Sequence, residues 1–273
     1  MPTTTTYRLP GPRAGVPLTV TGHGDGDGAP VLLLHGGAGP DSVAGLAGSL
    51  AAHYQLRVLA PVHPGFSQTE RPARLASARD LAGRYGQLLD YLGLTGVTVI
   101  GSSVGGWIAA ELALAARDRV ARLILIDAVG LDSTEHPVAD FFSLTPAQVA
   151  ELSWADPAGR VVDPAALSQA QQRVMAGNRA ALLAYGGRSM ADPSLAPRLA
   201  GVAAAALVVW GEADRIVTLA YGKEYAAAIP GSVFRTIPGA GHLPQLETPQ
   251  ALLPVLAEFG GWPRRDGAEG PVG

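Results

Sequence analysis

Residues 97–114 read VTVIGSSVGGWIAAELAL. Four strand-forming residues run into a knot of glycines and serines, and a helical segment rich in alanine and leucine follows. A plain connection could manage with one glycine. Here Gly101 and Gly105 bracket Ser103 two residues to either side. Small residues on both sides let the backbone turn tightly and lift a serine Oγ clear of a sheet edge. A helix opening at Val104 directs its positive end at Ser103, which favours negative charge developing there. The competing reading is a glycine-rich turn that binds nothing, or a phosphate. A base elsewhere in the chain would separate the two, because a hydroxyl is a poor nucleophile until its proton is taken.

Outward from this stretch, short apolar runs alternate with helical ones. Residues 16–22, 30–36, 56–61, 121–128, 205–214 and 232–238 read as strands beside 97–102. Several are apolar throughout, as expected for strands covered on both faces. Helices are expected over 76–94, 104–118, 219–230 and 248–260. In the first, Leu81, Tyr85, Leu88, Leu89 and Leu92 recur at helical spacing and form one apolar stripe. This alternation implies an α/β fold with a mostly parallel sheet and helices on both faces. Residues 131–200 break the rhythm with helical pieces and no convincing strand. The expected organisation is a core of 1–130 and 201–260, a helical cap of 131–200 inserted before the last two strands, and a flexible tail of 261–273.

Composition narrows the function. The chain has 273 residues, enough for one sizeable core, and only 16% of them are charged. Its net charge of −3 is spread without a basic block, so nucleic acid is not an expected partner. There are no cysteines, which excludes disulfides, thiolate metal sites and a cysteine nucleophile together. The N-terminal stretch has no basic segment followed by an apolar one, and no apolar run reaches the length of a membrane span. The expectation is a cytoplasmic protein with a small-molecule substrate, no membrane partner, no cofactor and no metal.

Six histidines are candidates for the base. His242 lies in IPGAGHLPQLETPQ, between the last strand and the last helix, on the sheet edge that Ser103 also occupies. Asp214 ends LVVWGEAD one βα unit earlier. His35 opens HGGAG and reads as a brace for that loop, not as a base. Gly65 and Ser67, after His63, read as a turn near the site's mouth, and Trp107 as packing between helix and sheet.

The order serine, acid, histidine, together with HGGAG, GSSVGG, WGEAD and GAGH, resembles the α/β-hydrolase superfamily over about residues 16–259. The resemblance implies a sheet of the eight-stranded type, with Ser103 as nucleophile, His242 as base and Asp214 as the acid orienting the imidazole. Asp127 ends the strand RLILID, where some members carry the acid instead. The oxyanion donors would be the amides of Val104 and Gly37, with Ala38 as the alternative to Gly37. Serine at the elbow favours acyl chemistry, and ester or lactone hydrolysis leads. The chain also resembles the meta-cleavage-product C–C hydrolases in length, cap position and HGGAG. It departs from them at Ser102, where they commonly have Asn, and at Leu243, where they commonly have Trp. Arg173 could match their substrate-binding arginine, or be a solvated helix residue. Phe141, Phe142, Trp154 and Leu243 are candidates for an apolar pocket, as is Ala38. The remaining alternative is a non-catalytic small-molecule receptor on the same fold.

Overall fold

The computed structural model describes residues 1–9 and 17–265. Eight strands form the main sheet: β1 (Thr3–Arg8), β2 (Pro17–Gly24), β3 (Ala29–Leu34), β4 (Leu56–Pro61), β5 (Val97–Ser102), β6 (Val120–Ile126), β9 (Ala205–Gly211) and β10 (Val233–Ile237). Their spatial order is β1-β2-β4-β3-β5-β6-β9-β10. β1 and β2 are antiparallel at one edge, and the six strands from β4 to β10 run parallel.

Period-two alternation in the strands decides which helix goes where. Val31 and Leu33 of β3, Ile100 of β5 and Ile124 of β6 bury one face against α1 (Asp41–His53) and α9 (Pro249–Gly260). Leu32, Leu34, Val99 and Leu123 bury the other against α2 (Ala78–Tyr91), α3 (Val104–Ala115) and α7 (Leu219–Ala228). The expected stripe on α2 is buried at Leu81, Tyr85, Leu88 and Leu89, and Ser77 caps the helix by accepting from the Asp80 N–H.

β1 and α1 both go beyond the sequence reading. β1 is built from TTTTYR, with Thr4 opposite Thr21 and Thr6 opposite Thr19, their hydroxyls 3.2 and 3.4 Å apart. Four threonines look like a polar leader, yet β-branched residues suit a solvated edge strand. α1 hides its apolar face behind Gly45 and Gly48, which weaken the helical pattern.

The segment after β6 carries α4 (Pro146–Ser153), a 3-10 turn (Pro164–Ala166), α5 (Gln169–Gly186) and α6 (Leu195–Leu199). It also holds two short strands that the sequence reading did not expect. β7 (Gly130–Leu131) pairs in parallel with β8 (Ala191–Asp192) and draws the segment's two ends together. Tyr221 of α7 fastens that clasp, accepting from the Leu131 N–H and donating to the Leu131 carbonyl. The expected flexible tail is anchored as far as Arg265. Arg264 bridges to Tyr54, and Arg265 donates to the Tyr54 carbonyl and pairs with Asp25 at 2.7 Å. Residues 266–273 of that tail lie outside the described residues. Among the described residues no helix is long and apolar enough to cross a membrane.

Two buried polar units brace the loops above the sheet. Glu111 of α3, only 3% exposed, receives both terminal nitrogens of Arg198 at 2.7 Å, and Arg198 also reaches Asp192 at 3.1 Å. The second unit is a pair of stacked imidazoles, His35 after β3 and His63 after β4, with ring centres 3.8 Å apart. His35 Nδ1 donates to the Gly36 carbonyl and its Nε2 accepts from the His63 N–H. His63 Nε2 donates to the His35 carbonyl, while its Nδ1 accepts from the Tyr85 hydroxyl. Each ring therefore needs one bare nitrogen, so both are neutral. Burial holds His35 down at about 4 and His63 well below the usual imidazole range.

Both units have measurable consequences. Arg198→Ala strands a buried carboxylate and should cost about 3 kcal/mol in urea unfolding, the low end for such a loss. Arg79, 3.6 Å from Glu111, remains as a partial substitute. A loss below about 1 kcal/mol would mean that the pair behaves as an ordinary surface bridge. For the imidazoles, the unfolded chain binds protons that the folded protein refuses between the ordinary value of 6.5 and about 4. Stability is therefore full above pH 6.5 and falls as the pH drops toward 4, with His35 alone removing about 2 kcal/mol between pH 7 and pH 5. His35→Asn should flatten that slope; an equally steep slope in the variant would assign the acid sensitivity to other groups.

Candidate active site

Ser103 sits at the turn between β5 and α3 with φ 55° and ψ −122°, a conformation that side-chain-bearing residues rarely adopt. Its N–H donates to the Ile126 carbonyl at 2.9 Å, which ties the turn to the end of β6. The flanking glycines are required by close approach. A Cβ on Gly101 would lie 2.1 Å from the Gly105 carbonyl oxygen, and one on Gly105 would lie 2.4 Å from that of Leu34. The pattern noted in the sequence is thus a steric requirement of this turn.

The loops after β9 and β10 bring the expected partners to Ser103. His242 Nε2 is 3.0 Å from Ser103 Oγ, and His242 Nδ1 is 2.8 Å from Asp214 Oδ2. The other Asp214 oxygen, Oδ1, accepts from the N–H groups of Ile216 and Val217 at 2.8 and 3.1 Å. Since Nδ1 donates to the carboxylate, Nε2 is the nitrogen left to accept the serine proton. All three groups are buried, Ser103 at 8% exposure and His242 at 7%. Ser102 is distinct from its neighbour: it is buried and its Oγ accepts from Gln245 Nε2 at 3.3 Å.

Val104 opens α3, so its amide is one of those that a helix leaves without an internal acceptor. The HGGAG loop passes directly beside the serine. A Cβ on Gly36 would fall 3.0 Å from Ser103 Cβ, and Gly37 is the next residue. Ala38 is exposed. The two amides proposed as oxyanion donors therefore belong to segments in contact with Ser103.

Helix α5 lies over these loops with one face, and sequence reasoning did not single that face out. Asn178 Oδ1 accepts from the Ser67 N–H at 2.8 Å, and Tyr185 donates to the Pro64 carbonyl at 2.7 Å. Ala181 lies over Gly65, and Leu182 comes so close to Gly37 that a Cβ there would be 2.9 Å away. The spacing 178, 181, 182, 185 was the available signal. Phe141 and Phe142 are half-buried, packed edge to face with each other and under Arg179. Trp154 is half-buried beneath Arg160, and Leu243 is half-buried beside His242. Arg173 is exposed on α5. Trp107 is buried in the core as expected. A recess of about 490 Å³ between α2, α3 and α5 is lined by Arg79, Trp107, Glu111 and Tyr185, and not by Ser103 or His242.

Two acids complete the surroundings. Glu247, in the short helix α8 (Pro244–Glu247), accepts from the N–H of Gly241 at 2.5 Å and of Ala155 at 2.8 Å. With the His242 N–H donating to the Ser153 carbonyl at 2.7 Å, it fixes the histidine loop to the end of α4. Asp127 makes no hydrogen bond to His242; its Oδ1 accepts from the Gly211 N–H at 2.8 Å. Burial, then the nearby Asp214 charge, hold its carboxyl well above the usual carboxylate range.

The model of the alpha/beta hydrolase family matches residues 31–255. A 2-hydroxymuconate semialdehyde hydrolase of Pseudomonas putida is 41% identical over 113 residues, 40% of this chain and 40% of that protein. The dihydrolipoyllysine-residue acetyltransferase component of the acetoin cleaving system of Cupriavidus necator is 31% identical over 230 residues, 80% of this chain. The matches span 40% and 59% of these two proteins' own lengths. Among solved structures, a thermophilic esterase from Thermogutta terrifontis superimposes with a TM-score of 0.73 at 26% identity, over 95% of this chain and 98% of that one. The eight-stranded, mostly parallel sheet, the strand–turn–helix at Ser103 and the family match agree: this chain belongs to the α/β hydrolase family.

Proposed function

We propose that the protein is a serine hydrolase that cleaves a carboxylic ester or lactone of an apolar small molecule through an acyl-enzyme on Ser103. The observation that carries this reading is the unbroken hydrogen-bond chain from Ser103 Oγ through His242 to Asp214. In the acylation step His242 Nε2 takes the hydroxyl proton while Oγ attacks the substrate carbonyl. The oxyanion is held by the amides of Val104 and Gly37, each such donor contributing about 3 kcal/mol at the transition state. Collapse of the tetrahedral adduct expels the alcohol, which leaves with the proton from His242. Water, activated by the same imidazole, then releases the acid. Asp214 orients the ring and stabilises its charged form. Segment 131–200 acts as the cap, with Leu182, Phe141, Phe142, Trp154 and Leu243 forming an apolar surround for the acyl or ring portion and Ala38 at its edge.

A second reading, hydrolysis of an activated C–C bond, is favoured by the semialdehyde hydrolase relative. Ser102 and Leu243 depart from that group's pattern, and Arg173, the candidate match to its substrate-binding arginine, stands in solvent. A panel of short and long p-nitrophenyl esters, lactones and ring-fission dienones decides between the two. The ester reading requires the highest kcat/KM on an ester or lactone, and a dienone turned over fastest would replace it.

Two substitutions test the chemistry on the best substrate. Ser103→Ala should lower kcat by about 10⁵–10⁶ with the circular dichroism spectrum unchanged, whereas retention of a tenth of the activity would sink the nucleophile assignment. Asp214→Asn should cost about 10⁴, because an amide cannot stabilise imidazolium and holds the wrong tautomer. A healthy Asp214→Asn enzyme would move the acid elsewhere.

A further inference from the structure

Asp127 is fully buried immediately after β6, with φ 45° and its N–H donating to the Val209 carbonyl at 3.0 Å. This left-handed turn aims its carboxyl at the end of β9, the start of the bend that carries Asp214. The two oxygens fare differently. Oδ1 receives the Gly211 N–H, while Oδ2 is sealed from solvent and receives no hydrogen bond from any described donor. The charged groups facing Asp127 are Asp214 and Glu247, with His242 beyond Asp214. No lysine or arginine pairs with it among the described residues.

An ionised Asp127 would be a second buried anion against Asp214 with no counter-cation, which is strongly unfavourable. Asp214 accepts three N–H groups, the surroundings of a carboxylate. Asp127 accepts one and has an oxygen to spare, the surroundings of a carboxylic acid. We propose that Asp127 is a neutral acid that donates its Oδ2 proton to the Asp214 carboxylate, and is thereby a positioning residue for the acid that orients His242. This rests on the reading of Ser103, His242 and Asp214 as the reacting unit. The donated bond holds Asp214 with Oδ2 toward the imidazole and disperses part of its charge, moderating its pull on the imidazolium proton.

Asparagine is the conservative mimic. Its carbonyl can accept from Gly211, its amide N–H can donate to Asp214, and it tolerates the left-handed backbone. Glycine tolerates the backbone and supplies neither bond. Infrared difference spectra of the full chain at neutral pH should show the carbonyl band of a protonated carboxylic acid. That band should shift in D₂O and vanish in Asp127→Asn. On the best substrate from the panel, Asp127→Asn should lose less than roughly tenfold in kcat and keep the acid limb of kcat/KM where the wild type has it. Asp127→Gly should move that limb to higher pH, by about three- to tenfold in proton affinity, since the undispersed Asp214 charge favours imidazolium. A residue that served only packing would lower kcat or stability without moving the limb. The proposal falls if the wild type lacks the band, if the band survives in Asp127→Asn, or if the Asn and Gly limbs move equally. Because the spectra need no turnover, they decide the protonation of Asp127 even if every ester in the panel is left untouched.

Discussion

The backbone of Ser103 is the constraint on which the rest of the site depends. A serine at φ 55° costs on the order of 1–3 kcal/mol, and it persists only where its surroundings leave no other choice. Those surroundings are specific. The Ile126 carbonyl captures its N–H, Gly101 and Gly105 let three chain segments meet at van der Waals distance, and α3 starts one residue later. The outcome is a hydroxyl raised at the end of the central parallel strands, beside amides that a helix start leaves unpaired. Parallel topology does the remainder, because every strand from β4 to β10 delivers its following loop to that same edge. Histidine and aspartate, more than a hundred residues further on, need only occupy the right loops.

Holding those loops still is a separate problem, and buried polar contacts solve it. The stacked His35–His63 pair locks the turn after β3 to that after β4. Glu247 ties the histidine loop to α4, and Gln245 ties it to Ser102. Helix α5 then lies across the first two loops with Leu182 against Gly37, and Ser103 is buried. A loop residue in solvent would wander by more than the tolerance of a hydrogen bond; one closed into such a network does not.

This division explains what could be read from the chain. The strands, the serine turn and its histidine and aspartate partners were legible because each is a local pattern: an apolar run, a glycine spacing, an acid at a strand end. β1 and α1 were hidden by composition, four threonines in one and two glycines in the other. Glu247 was invisible for another reason. Its function is to accept two amides, Gly241 and Ala155, the second of which the fold brings to it from 92 residues away. No spacing rule marks such a residue. Helix α5 lies between these extremes: its contact face has helical periodicity, but nothing in the sequence says which loops it will cover.

Asp127 shows how far a motif reading can go before geometry must take over. At the level of sequence it competes with Asp214 for one role, since both aspartates end strands on the same edge. In three dimensions they are neighbours in series. Asp214 faces the imidazole, and Asp127 stands behind it, reaching the Gly211 amide at the foot of the Asp214 bend. Two carboxyls so placed cannot both carry charge without a cation, so their proximity itself assigns them different chemistry. The one with three N–H donors suits an anion, and the one with a spare buried oxygen suits an acid. The ambiguity in the sequence thus falls between two neighbouring carboxyls, and the donor count around each favours Asp214 as the anion beside the imidazole.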